Sequence, residues 1–433
     1  MKILACFFFI SCVILGQSDF ISSRASVSLY LLLYALEAGC LIWAWNLRPV
    51  PSRRFVLITA LAFRLALLPA GLRDNASLQD LLDPNAWQRF LLFDHDVWRF
   101  LWDPHVAASG FNPYSFAPFA SDLDRIAEDE PWLTVRSNIN YPQTPTTYPP
   151  GAQLLFRIPN HFLPANPLGF KLLAIAADLG ISALLPLPCA ILYAWNPLVL
   201  KAGAASAHFD SVLALLVLLV YFNRKHLWSA GALLGAAALV KLSPLLLLPW
   251  LYRHSGLRSA LVAVLLIICG FAPFYPDFLT GLAAFGGNWQ FNAGYFYALK
   301  WLSPAAARPI SLLSLTVAAL LLARSKSFDP AQQAAWTLFL GVVLSPTVMP
   351  WYLVWCLPLA AVAGEMIPVY FSFAVALSTL VMIDGIEREW WLWIEHLPLL
   401  IAIYFRFSVT LQSAPATAQH GHDTISDDTP RSG

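Results

Sequence analysis

Charge is what this sequence most lacks. Asp, Glu, Lys and Arg make up 12% of its 433 residues, against roughly 25% in a soluble globular domain. A chain so poor in charge and 58% hydrophobic does not have water as its main solvent. The alternating short strands of a membrane barrel are absent too, which leaves a helical bundle as the fold. The cysteines, Cys6, Cys12, Cys40, Cys189, Cys269 and Cys356, form no C-x-x-C pair and no metal-ligand spacing, so they read as buried small hydrophobes. No glycine-rich phosphate loop, no G-x-S-x-G elbow and no internal repeat is present. The net charge of +1, spread over scattered basic residues, gives no reason to expect nucleic acid.

What is present is a series of apolar runs, among them residues 28–45, 55–70 and 369–383. A span needs roughly 20 such residues, and the runs predict an all-α polytopic membrane protein of about 12 to 14 transmembrane helices. The count is blurred by proline-broken pieces at 184–200 and 242–251. Residues 2–16 resemble a signal peptide, but no small-x-small cleavage site precedes Ser18, so a retained first span is favoured. Short basic connections occur at Arg48, Arg53 and Arg54, at Arg224 and Lys225, at Arg253 and Arg258, and at Arg324 and Lys326. The positive-inside rule places all four in the cytoplasm.

That orientation puts residues 71–167, the most acidic stretch, on the extracytoplasmic side of an inner membrane as the first large loop. Within it, 85–110 reads as a short amphipathic helix interrupted near Pro104 and 142–150 as an extended proline-rich segment. A second outer loop spans 276–304, and a third, short and acidic, spans 384–391. Residues 1–407 form one transmembrane domain, and 408–433 read as a disordered cytoplasmic tail. His420 and His422 in that tail are read as solvated rather than metal-binding.

The densest chemistry is Asp94-His95-Asp96-Val97-Trp98-Arg99-Phe100-Leu101-Trp102-Asp103. On a helix beginning near Asp96, that residue, Arg99 and Asp103 share a face at i, i+3 and i+7, while Trp98, Leu101 and Trp102 form an apolar one. Such a helix would lie along the membrane surface with its acids toward a cavity. The helix dipole and Arg99 would keep Asp96 ionised, as suits a carboxylate that takes a proton from a hydroxyl. A helix-capping aspartate with a surface ion pair is the plainer alternative.

Further motifs follow: Gly110-Phe111-Asn112-Pro113-Tyr114, Asn140-Tyr141-Pro142, and Thr147-Tyr148-Pro149-Pro150-Gly151-Ala152-Gln153. Together with D-V-W-R-F-L-W-D they resemble the first outer loop of bacterial GT-C glycosyltransferases, particularly mannosyltransferase-like members that use polyprenyl-phosphate sugars. The resemblance continues through Trp195-Asn196-Pro197, Ala207-His208-Phe209-Asp210, Val240-Lys241-Leu242-Ser243-Pro244, Asn288-Trp289-Gln290-Phe291-Asn292 and Thr347-Val348-Met349-Pro350-Trp351-Tyr352. It covers most of the chain from Asp94 to about Leu357. Two departures stand out. His95 takes the place of one acid of the usual adjacent pair, with Asp94 restoring an acid-x-acid pattern, and Met349 stands where relatives often carry histidine.

The resemblance implies an inverting transfer of a hexose, mannose first among candidates, from a polyprenyl-phosphate donor to a lipid-linked or periplasmic glycan or glycolipid acceptor. Asp96 matches the principal acid, with Asp94 or Asp103 assisting. The leaving phosphate is anionic, so cations must meet it, and Arg99, His208 and Lys241 are the partners available. Lys241 interrupts an apolar run, where a charge faces a polar cavity or snorkels to the interface. His208 and Asp210, two apart, share no helical face unless a helix begins between them, and Asp210 fits a capping role as well as a substrate role.

Tyr141, Tyr148 and Trp289 suit stacking on a sugar or anchoring at the interface, and Asn292 and Trp351 join the expected substrate residues. Asp94 and Asp96 offer oxygen ligands for a divalent cation, though two carboxylates alone make a thin site. The rival readings are a transporter or lipid-linked oligosaccharide flippase, whose polar groups would sit at the midplane of paired repeats, and a glycan ligase or polymerase.

Overall fold

The computed structural model describes residues 1–17, 24–73, 77–87, 95–382 and 388–412. Asp94, residues 384–387 of the third outer loop and residues 413–433 of the tail lie outside them. The described residues form helices and no named strand. Their one isolated β-bridge pairs Phe291 with Thr347. The chain is an all-α polytopic membrane protein.

Among the described residues, three helices are long and apolar enough to cross a membrane unaided: Ala25–Asn46, Leu257–Phe274 and Ala307–Arg324. Shorter apolar helices accompany them at Lys2–Gln17, Asp210–Phe222, Leu227–Val240 and Met366–Leu380. Elsewhere proline breaks the runs. Residues 184–200 divide into Leu187–Ala194 and Pro197–Leu200, and residues 242–251 pass from the 3-10 turn Ser243–Leu247 into Leu248–Ser255, each new piece carrying proline in its first turn. Proline lacks the N–H that a helix interior needs but fits a first turn. Crossings there are therefore assembled from short pieces, which lipid permits only where protein or a cavity satisfies the exposed backbone.

Lys2–Gln17 packs into the bundle, stacking Phe8 on Phe63 with ring centroids 4.5 Å apart. By contrast, Leu257–Phe274 is only 11% buried, and Leu261, Leu265 and Ile268 on it point outward, as side chains meeting acyl chains should. Cys269 on the same helix, and Cys6, are exposed as well. The expectation that every cysteine is buried thus fails at the lipid-facing positions, where a thiol needs no core.

Three of the four basic turns, those at Arg224, Arg253 and Arg324, gather at one end of the bundle. Ser255 Oγ donates to the Arg224 carbonyl at 2.6 Å, His254 Nε2 meets Gln333 Oε1 at 2.7 Å, and Gln333 Nε2 donates to the Ser325 carbonyl at 2.8 Å. Arg406 Nη2 reaches Glu365 Oε1 at 2.6 Å, and Gln332 donates to the same oxygen at 2.9 Å. Leu227–Val240, Ala307–Arg324 and Pro330–Val343 each have one terminus at this stapled end. Their other termini lie a helix length away, at the end where the first two outer loops meet. The tail expectation shifts here, because the helix Arg388–Gln412 includes residues 408–412.

The first two outer loops pack on each other. Asn112 Nδ2 donates to Asp277 Oδ2 at 3.2 Å and Ser115 Oγ bonds the same oxygen. Gly281 lies so close to the Thr146 carbonyl that a Cβ would collide with it. The second outer loop holds two helices, Phe278–Asn288 and Gly294–Leu302.

The helix Asp96–Ala108 corrects the sequence reading twice. It is buried nearly all round, Trp98, Arg99, Leu101 and Asp103 included, rather than lying on the membrane surface with one face in lipid. Pro150–Phe162 and Trp132–Ser137 pack against it, and Trp132 stacks on His105 at 3.7 Å between centroids. Nor does Pro104 interrupt it. The proline removes the N–H that would bond the Phe100 carbonyl, and Asn160 Nδ2 supplies a donor to that oxygen at 3.0 Å. Asn160→Leu should therefore cost about 1–3 kcal/mol, the penalty of an unsatisfied buried acceptor. Adding Pro104→Ala should recover much of the loss by restoring the helical N–H. Thermal unfolding of the two variants checks this, and equal Tm values would defeat it.

Candidate active site

Where the outer loops meet the helix ends lies a cavity of about 650 Å³. Its walls are mostly apolar, with Leu282 and Phe285 on one side and Leu312 and Leu315 on another. Into this apolar space come one described carboxylate, Asp96, and three cations, Arg99, Lys241 and Arg308. Asp96 opens its helix and is half-buried. It lines the cavity together with Trp351 and Tyr352.

Each cation is held differently. Arg99 Nη2 donates to the Thr144 carbonyl at 2.8 Å, and Nη1 lies 3.7 Å from Asp103 Oδ1. It thereby fastens the 141–144 turn to the helix as well as lining the cavity. Lys241 ends Leu227–Val240 in extended conformation, which swings its side chain off the helix. Its Nζ pairs with Asp210 Oδ1 at 2.6 Å, 4.9 Å from the Tyr352 ring centre and 5.3 Å from that of Trp355. Arg308 donates to the carbonyls of Gly286 at 2.6 Å and Trp289 at 3.3 Å. Among the described residues no carboxylate pairs with it.

Behind the cavity wall a polar cluster forms around a distorted turn. A π-helical turn at Lys201–Ala205 and a left-handed Ala207, φ 61, redirect the chain, so that the next helix begins at Asp210, between His208 and its acid. The condition for the two to cooperate is met: His208 Nδ1 lies 3.6 Å from Asp210 Oδ2. The imidazole stacks on Trp351 at 3.9 Å between centroids, and Trp355 Nε1 donates to Asp210 Oδ1 at 2.5 Å. Strained or π-bulged backbone of this kind is frequent at functional sites.

Of the residues expected from sequence, Asp96, Arg99, Tyr148, Lys241, Trp289 and Trp351 share the cavity. Tyr148 is fixed by its backbone carbonyl, which accepts from Tyr114 Oη at 2.7 Å, and by edge contact with Phe100 at 5.3 Å. Trp289 sits against Tyr141 with centroids 4.3 Å apart. His208 and Asp210 lie one layer back, buried, and reach the cavity through Trp351 and Lys241.

Two expected residues turn away. Asp103 is buried against Gln153 Nε2 at 2.9 Å and does not line the cavity; burial pushes its carboxyl up while Arg99 opposes the shift. Its face neighbours are taken up by Pro150–Phe162, so it braces the helix rather than meeting substrate. Asn292, left-handed at φ 47, donates to Glu395 Oε1 at 2.7 Å and accepts from His396 Nε2 at 2.8 Å. It ties the second outer segment to Arg388–Gln412. Asp94 falls outside the described residues. Among those described, no group of three His, Cys, Asp or Glu side chains could hold a metal ion.

Sequence reasoning missed Arg308. Its signal is positional, a cation opening an apolar helix at the end opposite the basic turns, where the positive-inside bias leads one to expect none.

Residues 299–387 match the family model of the MptB C-terminal domain. MptB is a GT-C mannosyltransferase, so this match supports a membrane glycosyltransferase of the GT-C kind. It takes in Arg308, Trp351 and Tyr352 and leaves Asp96, Arg99 and Lys241 outside. No curated protein and no solved structure matches the chain.

Proposed function

We propose that this protein transfers a hexose, mannose as the first candidate, from a polyprenyl-phosphate donor to a lipid-linked or periplasmic glycan acceptor, with inversion at the anomeric carbon. The observation that carries the reading is the cavity itself. Among the described residues, one carboxylate and three cations converge on a mostly apolar space beside lipid-facing helices, which fits a substrate with a long hydrocarbon tail, one anionic centre and a polar sugar. The matched C-terminal segment adds the mannosyltransferase connection.

In the proposed step an acceptor hydroxyl gives its proton to Asp96 as its oxygen bonds the anomeric carbon. The bond from that carbon to the phosphate oxygen breaks, and the electron pair leaves with polyprenyl phosphate. Cations lower the energy of the departing anion, and an apolar, water-poor cavity strengthens their effect. Tyr148, Trp289 and Tyr141 offer rings for the sugar face. The basic turns toward the opposite end support an extracytoplasmic site at the inner membrane under the positive-inside rule.

The test is reconstitution in liposomes with labelled polyprenyl-phosphate mannose and a lipid-linked glycan acceptor. The expected products are free polyprenyl phosphate and a mannosylated acceptor of inverted configuration. Transfer from a nucleotide sugar alone, or movement of an intact lipid-linked glycan across the bilayer without bond cleavage, would overturn the reading.

A further inference from the structure

We infer that Arg308 is the anchor for the donor's phosphate and that the site is built for one phosphate rather than two, an inference that rests on the donor class proposed above.

Of the three cations that line the cavity, two are already committed to carboxylates. Lys241 is neutralised by Asp210 at 2.6 Å and enclosed by the rings of Phe209, Tyr352 and Trp355. Pulling that ammonium toward a ligand would leave a fully buried carboxylate alone, which is expensive. Arg99 lies against Asp103 and two carbonyls of the 141–144 turn, so its charge is shared and its position fixed. Arg308 donates to neutral carbonyls, those of Gly286 and Trp289, and its guanidinium lies over the Phe296 ring at 5.4 Å, with no carboxylate paired to it among the described residues. Those bonds orient the guanidinium without cancelling its charge, and they leave N–H groups of its fork for another acceptor. A planar fork of this kind matches phosphate oxygens in pairs.

The surroundings give the ligand a direction. Leu312 and Leu315 follow Arg308 at i+4 and i+7 on one stripe of Ala307–Arg324, and Leu282, Phe285 and Trp289 form the facing stripe from Phe278–Asn288. Both stripes line the cavity, so an isoprenoid chain can leave between two helices while its phosphate stays at Arg308. Ala307–Arg324 is only 28% buried, which opens that route to lipid. The sugar then projects inward, toward Asp96 and the Tyr141–Trp289 pair.

The charge count limits the headgroup. A sugar phosphodiester carries one negative charge and meets one uncompensated guanidinium. A diphosphate would bring a second charge beside Asp96, with no further uncommitted Lys or Arg among the described residues that line the cavity.

The experiment measures binding of polyprenyl-monophosphate mannose, a diester with one negative charge, and separately of the corresponding polyprenyl-diphosphate sugar, to the full chain in nanodiscs without acceptor by calorimetry. Wild type should bind the monophosphate at least as tightly as the diphosphate. Arg308→Gln should weaken monophosphate binding about 10- to 100-fold, the worth of a charge-assisted contact, with Tm unchanged. Arg308→Lys keeps the charge without the fork and should lose less. If Arg308→Gln does not fold, the Lys variant decides, and wild-type affinity in it overturns the fork contact. Unchanged affinity in Arg308→Gln, or a diphosphate bound more than tenfold tighter by wild type, overturns the inference while leaving the donor reading standing. Failure of wild type to bind either lipid removes the donor reading itself.

Discussion

Asp96→Asn protein is expected to fold and bind the lipid donor normally yet transfer sugar roughly 10²–10⁴-fold more slowly, the usual contribution of a positioned general base. Asparagine is nearly isosteric and keeps a side-chain oxygen, so the start of Asp96–Ala108 should hold its shape. What it cannot do is accept a proton. A general base predicts a loss confined to kcat, with KM for the donor within a few-fold of wild type. A capping aspartate predicts the reverse, a lowered Tm and nearly full activity in whatever protein remains folded. Measuring kcat, KM and Tm on one preparation separates the two. Wild-type kcat in the Asn variant would end Asp96's candidacy and return attention to Asp94.

The second large effect concerns stability. Lys241→Met is expected to cost about 3–5 kcal/mol, because it strands a charged Asp210 with its ammonium partner gone. Asp210 is 0% exposed and would keep the Trp355 indole as its close donor. Pairing the change with Asp210→Asn removes the stranded charge and should restore most of the stability, since methionine can lie among the same aromatic rings. Activity should stay low in the double variant if the pair shapes the cavity wall. Thermal unfolding in detergent over the complete double-mutant cycle tests this. Strictly additive losses would mean the two side chains do not depend on each other.

Much of the architecture could be read from the residues because the membrane imposes strong constraints. Low charge and long apolar runs leave few options besides helices, and three of the four basic turns do cluster, held by Ser255, His254 and Gln333. The cavity residues Asp96, Tyr148, Lys241, Trp289 and Trp351 were recognisable because each stands in a polar or aromatic motif beside proline or at a helix end. Asp103 and Asn292 were misjudged for a shared reason. Helical periodicity fixes the side from which a residue emerges, not the element that meets it there. For Asp103 that element is Pro150–Phe162, some fifty residues on, and for Asn292 it is Arg388–Gln412. Such long-range pairings leave no local trace. Pro104 misled in a related way, since the donor that makes it tolerable, Asn160, belongs to another helix.

The stapling of the basic turns has a mechanical corollary. The other ends are fastened too, by Lys241 to Asp210 and by Arg308 to the carbonyls of Gly286 and Trp289, so a lipid donor of the proposed kind would enter between helices rather than by prying either end of the bundle apart. Loading a substrate from the side in this manner need not break the permeability seal, and the cell could run the enzyme without leaking ions through it.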